Sequence, residues 1–228
     1  MGKTVIVSHS DEPFKNRREA GELLGKQLES LRGQNAVVLG IPRGGMIVAG
    51  WLARAIDAEL DIVLAHKLRA PGHPELAIGA LAESGDIYLN KELIKELGVA
   101  EEYIRQERVY QQIEMARRAS VFRQALPRIP LSKRTVIVTD DGVATGATTQ
   151  AALWAVRQEL PSKLIVALPV GPEETLRKLA EDVDELICLR APAFFAAIGQ
   201  FYLRFDQVED ETVLQLLEEE RKRKAGKL

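Results

Sequence analysis

Cysteine is nearly missing from this chain: Cys188 is the only one in 228 residues. An internal disulfide and a multi-cysteine metal site are therefore excluded. An excess of one charge sign is missing too, since 31 basic residues face 33 acidic ones for a net charge of −2. Without a basic stripe there is no footprint for nucleic acid or an anionic membrane surface. No apolar run reaches the about 20 residues that a bilayer span needs. The start, Met1 to Val7, lacks the long apolar core of a secretion signal, and Val5-Ile6-Val7 reads instead as a strand. These absences point to a cytoplasmic protein with no nucleic-acid or membrane partner. Aromatic residues make up only 5% of the chain, yet Phe194, Phe195, Phe201, Tyr202 and Phe205 crowd one short segment.

What is present describes a globular α/β protein, 46% apolar and 28% charged. Apolar, β-branched runs at 36–41, 60–65, 135–139, 164–168 and 185–189 read as buried strands. Helical periodicity lies between them, at 14–31, 46–56, 146–159 and 172–181, with a further helix over 209–224. Alternation of all-apolar strands with helices implies a doubly wound, mainly parallel sheet covered on both faces. Residues 78–82 and 87–89 read as a hairpin around Glu83-Ser84-Gly85-Asp86. Residues 100–125 form a long charged helix with a weak apolar stripe. Its Arg105, Arg108, Arg117 and Arg118 read as a solvated face or as a lid that brings one arginine to a ligand. The expected organisation is one domain over 1–228, with a core at 34–190 and flanking or hood segments at 1–33 and 191–228.

The most informative stretch is Val136 to Thr148. A buried strand stops at Asp140-Asp141, and Gly142-Val143-Ala144-Thr145-Gly146-Ala147-Thr148 then leads into a helix. One aspartate there is explained by helix capping. Two in succession repel each other unless a ligand, metal or basic group faces them. The loop has no lysine before its Ser/Thr position, which excludes a P-loop. Amide-rich backbone at a helix N-terminus favours a phosphate, and paired carboxylates accept hydrogen bonds from a diol. The stretch therefore reads as a ribose-phosphate site.

This segment resembles the phosphoribosyl-diphosphate binding signature of type I phosphoribosyltransferases. The resemblance implies that Asp140 and Asp141 bind the ribose hydroxyls, while residues 142–148 surround the 5-phosphate. It also makes Pro42-Arg43-Gly44-Gly45, after the first core strand, the pyrophosphate loop, where glycine amides and the Arg43 fork cradle an anion. Lys67 is either a second pyrophosphate contact or a solvated lysine. Further similarity, to an uncharacterised subgroup of phosphoribosyltransferases, runs through Phe14…Arg17…Ala20-Gly21, Ala70 to Ala80 and Phe195 to Val208. Within it, Glu75 reads as a loop-ordering or magnesium-water carboxylate, or as a plain surface residue. The cluster of Phe194, Phe195, Phe201, Tyr202 and Phe205 reads as an apolar patch docking on the sheet or as the source of one ring that stacks on a planar acceptor, with Phe194 and Phe195 as the acceptor candidates.

The activity so implied is magnesium-dependent transfer of the phosphoribosyl group to a nitrogenous acceptor, with Asp140, Asp141, Arg43 and Lys67 at the reacting centre. Magnesium would be held mainly through the substrate, with Asp140 and Asp141 as its available protein ligands. Ala144 stands where some purine-salvage members carry an acidic residue, which argues against hydroxypurine acceptors. A binding protein that senses phosphoribosyl diphosphate or a nucleotide without turnover is the alternative, and a homodimer is expected by family analogy.

Overall fold

The all-apolar runs become parallel strands because both of their faces are covered, so every side chain along them is shielded from water. A computed structural model describes residues 3–226, and the side chains of all of these except 74 and 75. In chain order the first half contains β1 (Lys3–Ser8), α1 (Arg17–Gln27), β2 (Val37–Gly40), α2 (Gly44–Ala55), β3 (Glu59–Ile62), β4 (Ala65–Ala70), β5 (His73–Ala82), β6 (Ile87–Leu89), α3 (Lys91–Glu96) and α4 (Glu101–Ala125). The second half adds β7 (Thr135–Thr139), α5 (Ala147–Gln158), β8 (Lys163–Val170), α6 (Glu173–Ala180), β9 (Glu185–Arg190) and α7 (Asp210–Lys224).

Six strands form a parallel sheet in the order β1-β9-β8-β7-β2-β3. Alternation along β7 divides the core. Ile137 faces the layer built from α1 and α2 with Leu24 and Leu52, whereas Val136 and Val138 face α5 and α6 with Leu153, Val156 and Leu176. The segment 1–33 supplies more than flanking structure, because β1 is an edge strand of this sheet, paired with β9. The tail helix α7 adds Val213 and Leu217 to the first layer. No helix among the described residues is long and apolar enough to cross a membrane.

A second sheet, β4-β5-β6, is antiparallel and contains the expected hairpin, with Leu81 opposite Ile87. It also corrects the reading of 60–65 as one continuous strand. β3 ends at Ile62 and a new strand begins at Ala65. Asp61 shapes this break: its buried carboxylate accepts from Ile62 N at 2.7 Å, Ile129 N at 3.0 Å and Arg123 Nη1 at 2.6 Å. Arg123 also forks onto Glu83, at 2.6 and 2.7 Å, and so ties α4 to the hairpin. The sheet lies between two helices. Leu68 and Ile78 join Met115 and Phe122 of α4, whereas Ala77 and Ala80 meet Ala151 and Trp154 of α5.

Candidate active site

Register brings the two informative loops together. Gly40 at the end of β2 lies opposite Thr139 at the end of β7, and Ile41 N extends the pairing to Thr139 O at 3.0 Å. Both chains then leave the sheet side by side at its carboxyl end, where parallel sheets bind ligands. The loop after β2 passes directly over the acidic pair. A Cβ on Gly45 would fall 2.7 Å from Asp140 Oδ1 and 3.1 Å from Thr139 O. One on Gly44 would fall 2.0 Å from Asp141 Oδ2. Glycine is required at both positions by this close approach, apart from any ligand. The Pro42–Arg43 peptide preceding them is cis.

The two aspartates have different surroundings. Asp141 is buried, and its Oδ2 accepts a 2.7 Å hydrogen bond from Arg17 Nε of α1. Arg17 also donates through Nη1 to the Asp206 carbonyl at 2.8 Å, and its guanidinium lies 3.9 Å from the centre of the Phe205 ring. The Tyr202 hydroxyl donates to the Asp141 carbonyl at 2.6 Å. Burial, together with the Asp141 charge, holds that phenol well above its ordinary range. Asp140 is half-buried, with Oδ1 accepting from Asp141 N at 2.8 Å. Burial first, and the neighbouring Asp141 second, push its carboxyl well above the ordinary carboxylate range. The basic group that an acidic doublet calls for is therefore present for Asp141, whereas Asp140 meets repulsion.

Beyond the pair, the loop divides into wall and cradle. Gly142, at φ +156°, has no room for a Cβ beside Ile198 and Val170, and Val143 N donates to Val170 O at 2.9 Å. Both residues are buried, so they fix the loop rather than face outward. Ala144, Thr145 and Thr148 are exposed, and the Ala144 carbonyl accepts from Thr175 Oγ1 at 2.8 Å. Gly146 takes the left-handed conformation, φ +79°, directly before α5. The N–H groups of Ala147, Thr148 and Thr149 open the helix and have no intrahelical acceptors. Residues 144–148 thus present amides and a helix N-terminus to solvent beside Asp140.

The other expected residues are placed less uniformly. Arg43 is exposed and pairs with Glu209 at 3.2 Å, a surface contact that a stronger anion displaces at little cost. Lys67 is an interior residue of β4 and lies opposite Ala80. Paired residues of antiparallel strands share a face, which puts Lys67 on the α5 side of the small sheet. Phe194 is 76% exposed, whereas Phe195 packs on Phe201 with ring centres 5.1 Å apart. Phe194 alone of the two offers an open ring. The Glu75 side chain lies outside the described residues. From the sequence, Arg17 has no place in the site, and Tyr202 and Phe205 enter only as members of the aromatic cluster. Arg17 carries a readable signal, since a charged residue on the apolar stripe of Ala20, Leu24 and Gly21 needs a buried partner.

Among the described residues no group of three or more His, Cys, Asp or Glu is gathered to hold a metal. The donors present, the Asp140 carboxylate and the remaining Asp141 oxygen, suit a hard cation that keeps most of its ligands from water and phosphate. Magnesium carried by a phosphorylated substrate fits this corner, and a protein-caged ion does not.

The phosphoribosyl transferase domain family matches residues 14–206. A Mycobacterium tuberculosis H37Rv protein named "Putative phosphoribosyl transferase Rv0571c" is 40% identical over 205 residues, 90% of this chain and 46% of that protein. The chain thus spans about half the length of the curated relatives that it matches. The crystal structure of TT1426 from Thermus thermophilus superposes with a TM-score of 0.85 at 41% identity, covering 91% of this chain and 98% of that one. The matched span includes both strand-end loops and the Arg17 and Phe205 contacts around the acidic pair, and the chain belongs to the phosphoribosyl transferase family.

Proposed function

We propose that this protein transfers the 5-phosphoribosyl group of phosphoribosyl diphosphate to a nitrogenous acceptor, with release of pyrophosphate. The carrying observation is the placement of Asp140 beside the open 144–148 cradle and beneath the Gly44-Gly45 turn. Asp140 and the free Asp141 oxygen accept the ribose hydroxyls, and the 144–148 amides hold the 5-phosphate. Arg43 leaves Glu209 for the diphosphate, and Lys67 serves as a second cationic contact. The C1–O bond breaks with its electron pair leaving on pyrophosphate. The acceptor nitrogen then supplies the pair for the new C1–N bond, and its proton passes to solvent. Positioning and charge compensation, rather than covalent participation by the protein, drive such a step. Magnesium, when bound with the substrate, neutralises charge on the departing oxygens. Phe194 is the available stacking surface for a planar acceptor. The unit over 1–228 acts as one domain, in the cytoplasm.

One observation favours the second reading, in which the ligand is bound and sensed without turnover. Arg17 already occupies one oxygen of Asp141, as a regulated binding site would allow. A single experiment separates the two. Phosphoribosyl diphosphate with magnesium, at about 100 times its Kd, should raise Tm by roughly 5–10 °C. Incubation with a panel of nucleobases and other nitrogen acceptors should then release pyrophosphate with at least one of them. A thermal shift without release across the panel selects the sensor, and no thermal shift removes both.

A further inference from the structure

Of the arginines on the exposed side of α4, Arg118 alone lines a cleft at the carboxyl end of the sheet. The cleft is a notch of about 30 Å³ bounded by Pro42, Ala65, His66, Arg118 and Thr148. Two of these residues belong to the elements assigned above to phosphate binding: Pro42 opens the Gly44-Gly45 loop, and Thr148 closes the 144–148 cradle. The notch itself admits one water-sized group. A diphosphate would therefore lie across its mouth, with a single oxygen or bridging water inside.

The exposed Arg118 side chain has neither an ion pair nor a hydrogen bond among the described residues. Arg105 pairs with Glu102, Arg117 with Glu114 at 3.3 Å, and Arg123 with Asp61 and Glu83 at 2.6 Å. Arg108 is exposed and, like Arg118, without such a pair among the described residues, but it does not line this notch. A part-buried polar chain nevertheless holds α4 against β4 two turns before Arg118. Arg69 forks onto Glu107 at 2.7 and 3.1 Å, and Gln111 Nε2 donates to Glu107 Oε1 at 2.8 Å. Gln111 Oε1 is then left to accept from His66 Nδ1 at 2.9 Å. That contact assigns the ring proton to Nδ1. Burial, with the Arg118 charge acting the same way, holds the His66 pKa below its ordinary value although the Gln111 hydrogen bond opposes this. Glu114, the carboxylate that acts on His66 from α4, is shared with Arg117.

We propose that Arg118 is a diphosphate-binding residue, which α4 delivers to the notch beside Pro42 at the start of the Gly44-Gly45 loop. The inference rests on the transferase reading and deepens it. It gives α4 a place in the site and distinguishes Arg118 from the solvated arginines around it. A guanidinium there would grip the diphosphate of the substrate and the pyrophosphate product; Thr148 of the cradle borders the same notch, so the 5-phosphate is the competing assignment that the test must separate.

Calorimetric titration with magnesium pyrophosphate, phosphoribosyl diphosphate and ribose 5-phosphate tests this, using the intact protein and its Arg118→Gln, Arg118→Lys and Arg105→Gln variants. Arg118→Gln should weaken the two diphosphate ligands about tenfold or more, as expected for loss of a charge-assisted contact. Ribose 5-phosphate should bind it within about twofold of the unaltered protein. Arg118→Lys should recover part of the loss, and Arg105→Gln should match the unaltered protein. Equal binding of pyrophosphate by Arg118→Gln would overturn the proposal. So would equal weakening of all three ligands, or weakening of the two that carry a 5-phosphate alone, which would assign Arg118 to the cradle or to the scaffold. An unaltered protein that binds none of the three would overturn the transferase reading itself, and this inference with it.

Discussion

Arg17 Nε and Asp141 Oδ2 lie 2.7 Å apart, joined across 124 positions of sequence, with side chains only 10% and 12% exposed. The pair welds the N-terminal helix to the acidic corner, and Phe205 and the Asp206 carbonyl enclose the guanidinium from the C-terminal side. Removing one member of such a pair strands the other charge in a poorly solvated place. Arg17→Met should therefore cost about 3 kcal/mol of stability. Asp141→Asn combined with it should cost clearly less than the sum of the two single changes, because the stranded charge is gone. Urea unfolding of the four proteins measures both quantities. A single-variant loss below about 1 kcal/mol would show that the link is a surface pair in energetic terms.

Two glycines of the same helix should respond in opposite ways. A Cβ on Gly45 would meet the Asp140 Cα at 2.8 Å and the Thr139 carbonyl at 3.1 Å, and backbone atoms in a buried strand end cannot swing aside. Gly45→Ala should destabilise the protein by about 1–3 kcal/mol and displace the acidic pair. Gly50 instead sees Leu216 Cδ2 at 3.6 Å and Leu60 Cδ2 at 3.9 Å, which is ordinary contact. Gly50→Ala should stabilise by roughly 0.5–1 kcal/mol through helix propensity. Calorimetric Tm values for the two variants decide this, and shifts of equal sign would refute the packing described.

The contrast between β7 and β4 shows what could be read from the sequence and what could not. Val136, Ile137 and Val138 are apolar because both faces of their strand are covered, so the run was visible without a structure. β4 alternates His66, Leu68 and Ala70 against Lys67 and Arg69, and half of it resembles a polar loop. The weak stripe of α4 has a similar cause. Part of its inner face is Glu107 and Gln111, which are satisfied by Arg69 and His66 rather than by apolar packing. Asp140, Asp141 and the glycine loops were legible because neighbours in sequence carry them. Arg17 could be located but not paired, since its partner lies 124 positions on, after the small sheet, α4 and β7. The Arg43 contact with Glu209 was hidden for the same reason.

Asp140 offers the sharpest test of whether the corner is built for a ligand or for stability. Its carboxyl titrates well above the ordinary value of 3.8, because of burial and the adjacent Asp141. The folded state therefore binds that proton more tightly than the unfolded chain does. This contribution to stability is complete below the unfolded pKa and is lost as pH rises through the folded one. Asp140→Asn keeps an acceptor for Asp141 N but cannot ionise. The variant should gain little below about pH 4 and progressively more above it. It should also lose the thermal shift given by phosphoribosyl diphosphate, if Asp140 holds the ribose diol. Tm measured from pH 4 to 8, with and without that ligand, follows both effects together. Greater stability with undiminished ligand response would place the diol elsewhere, and a uniform loss of stability at every pH would mean that the repulsion described here does not exist.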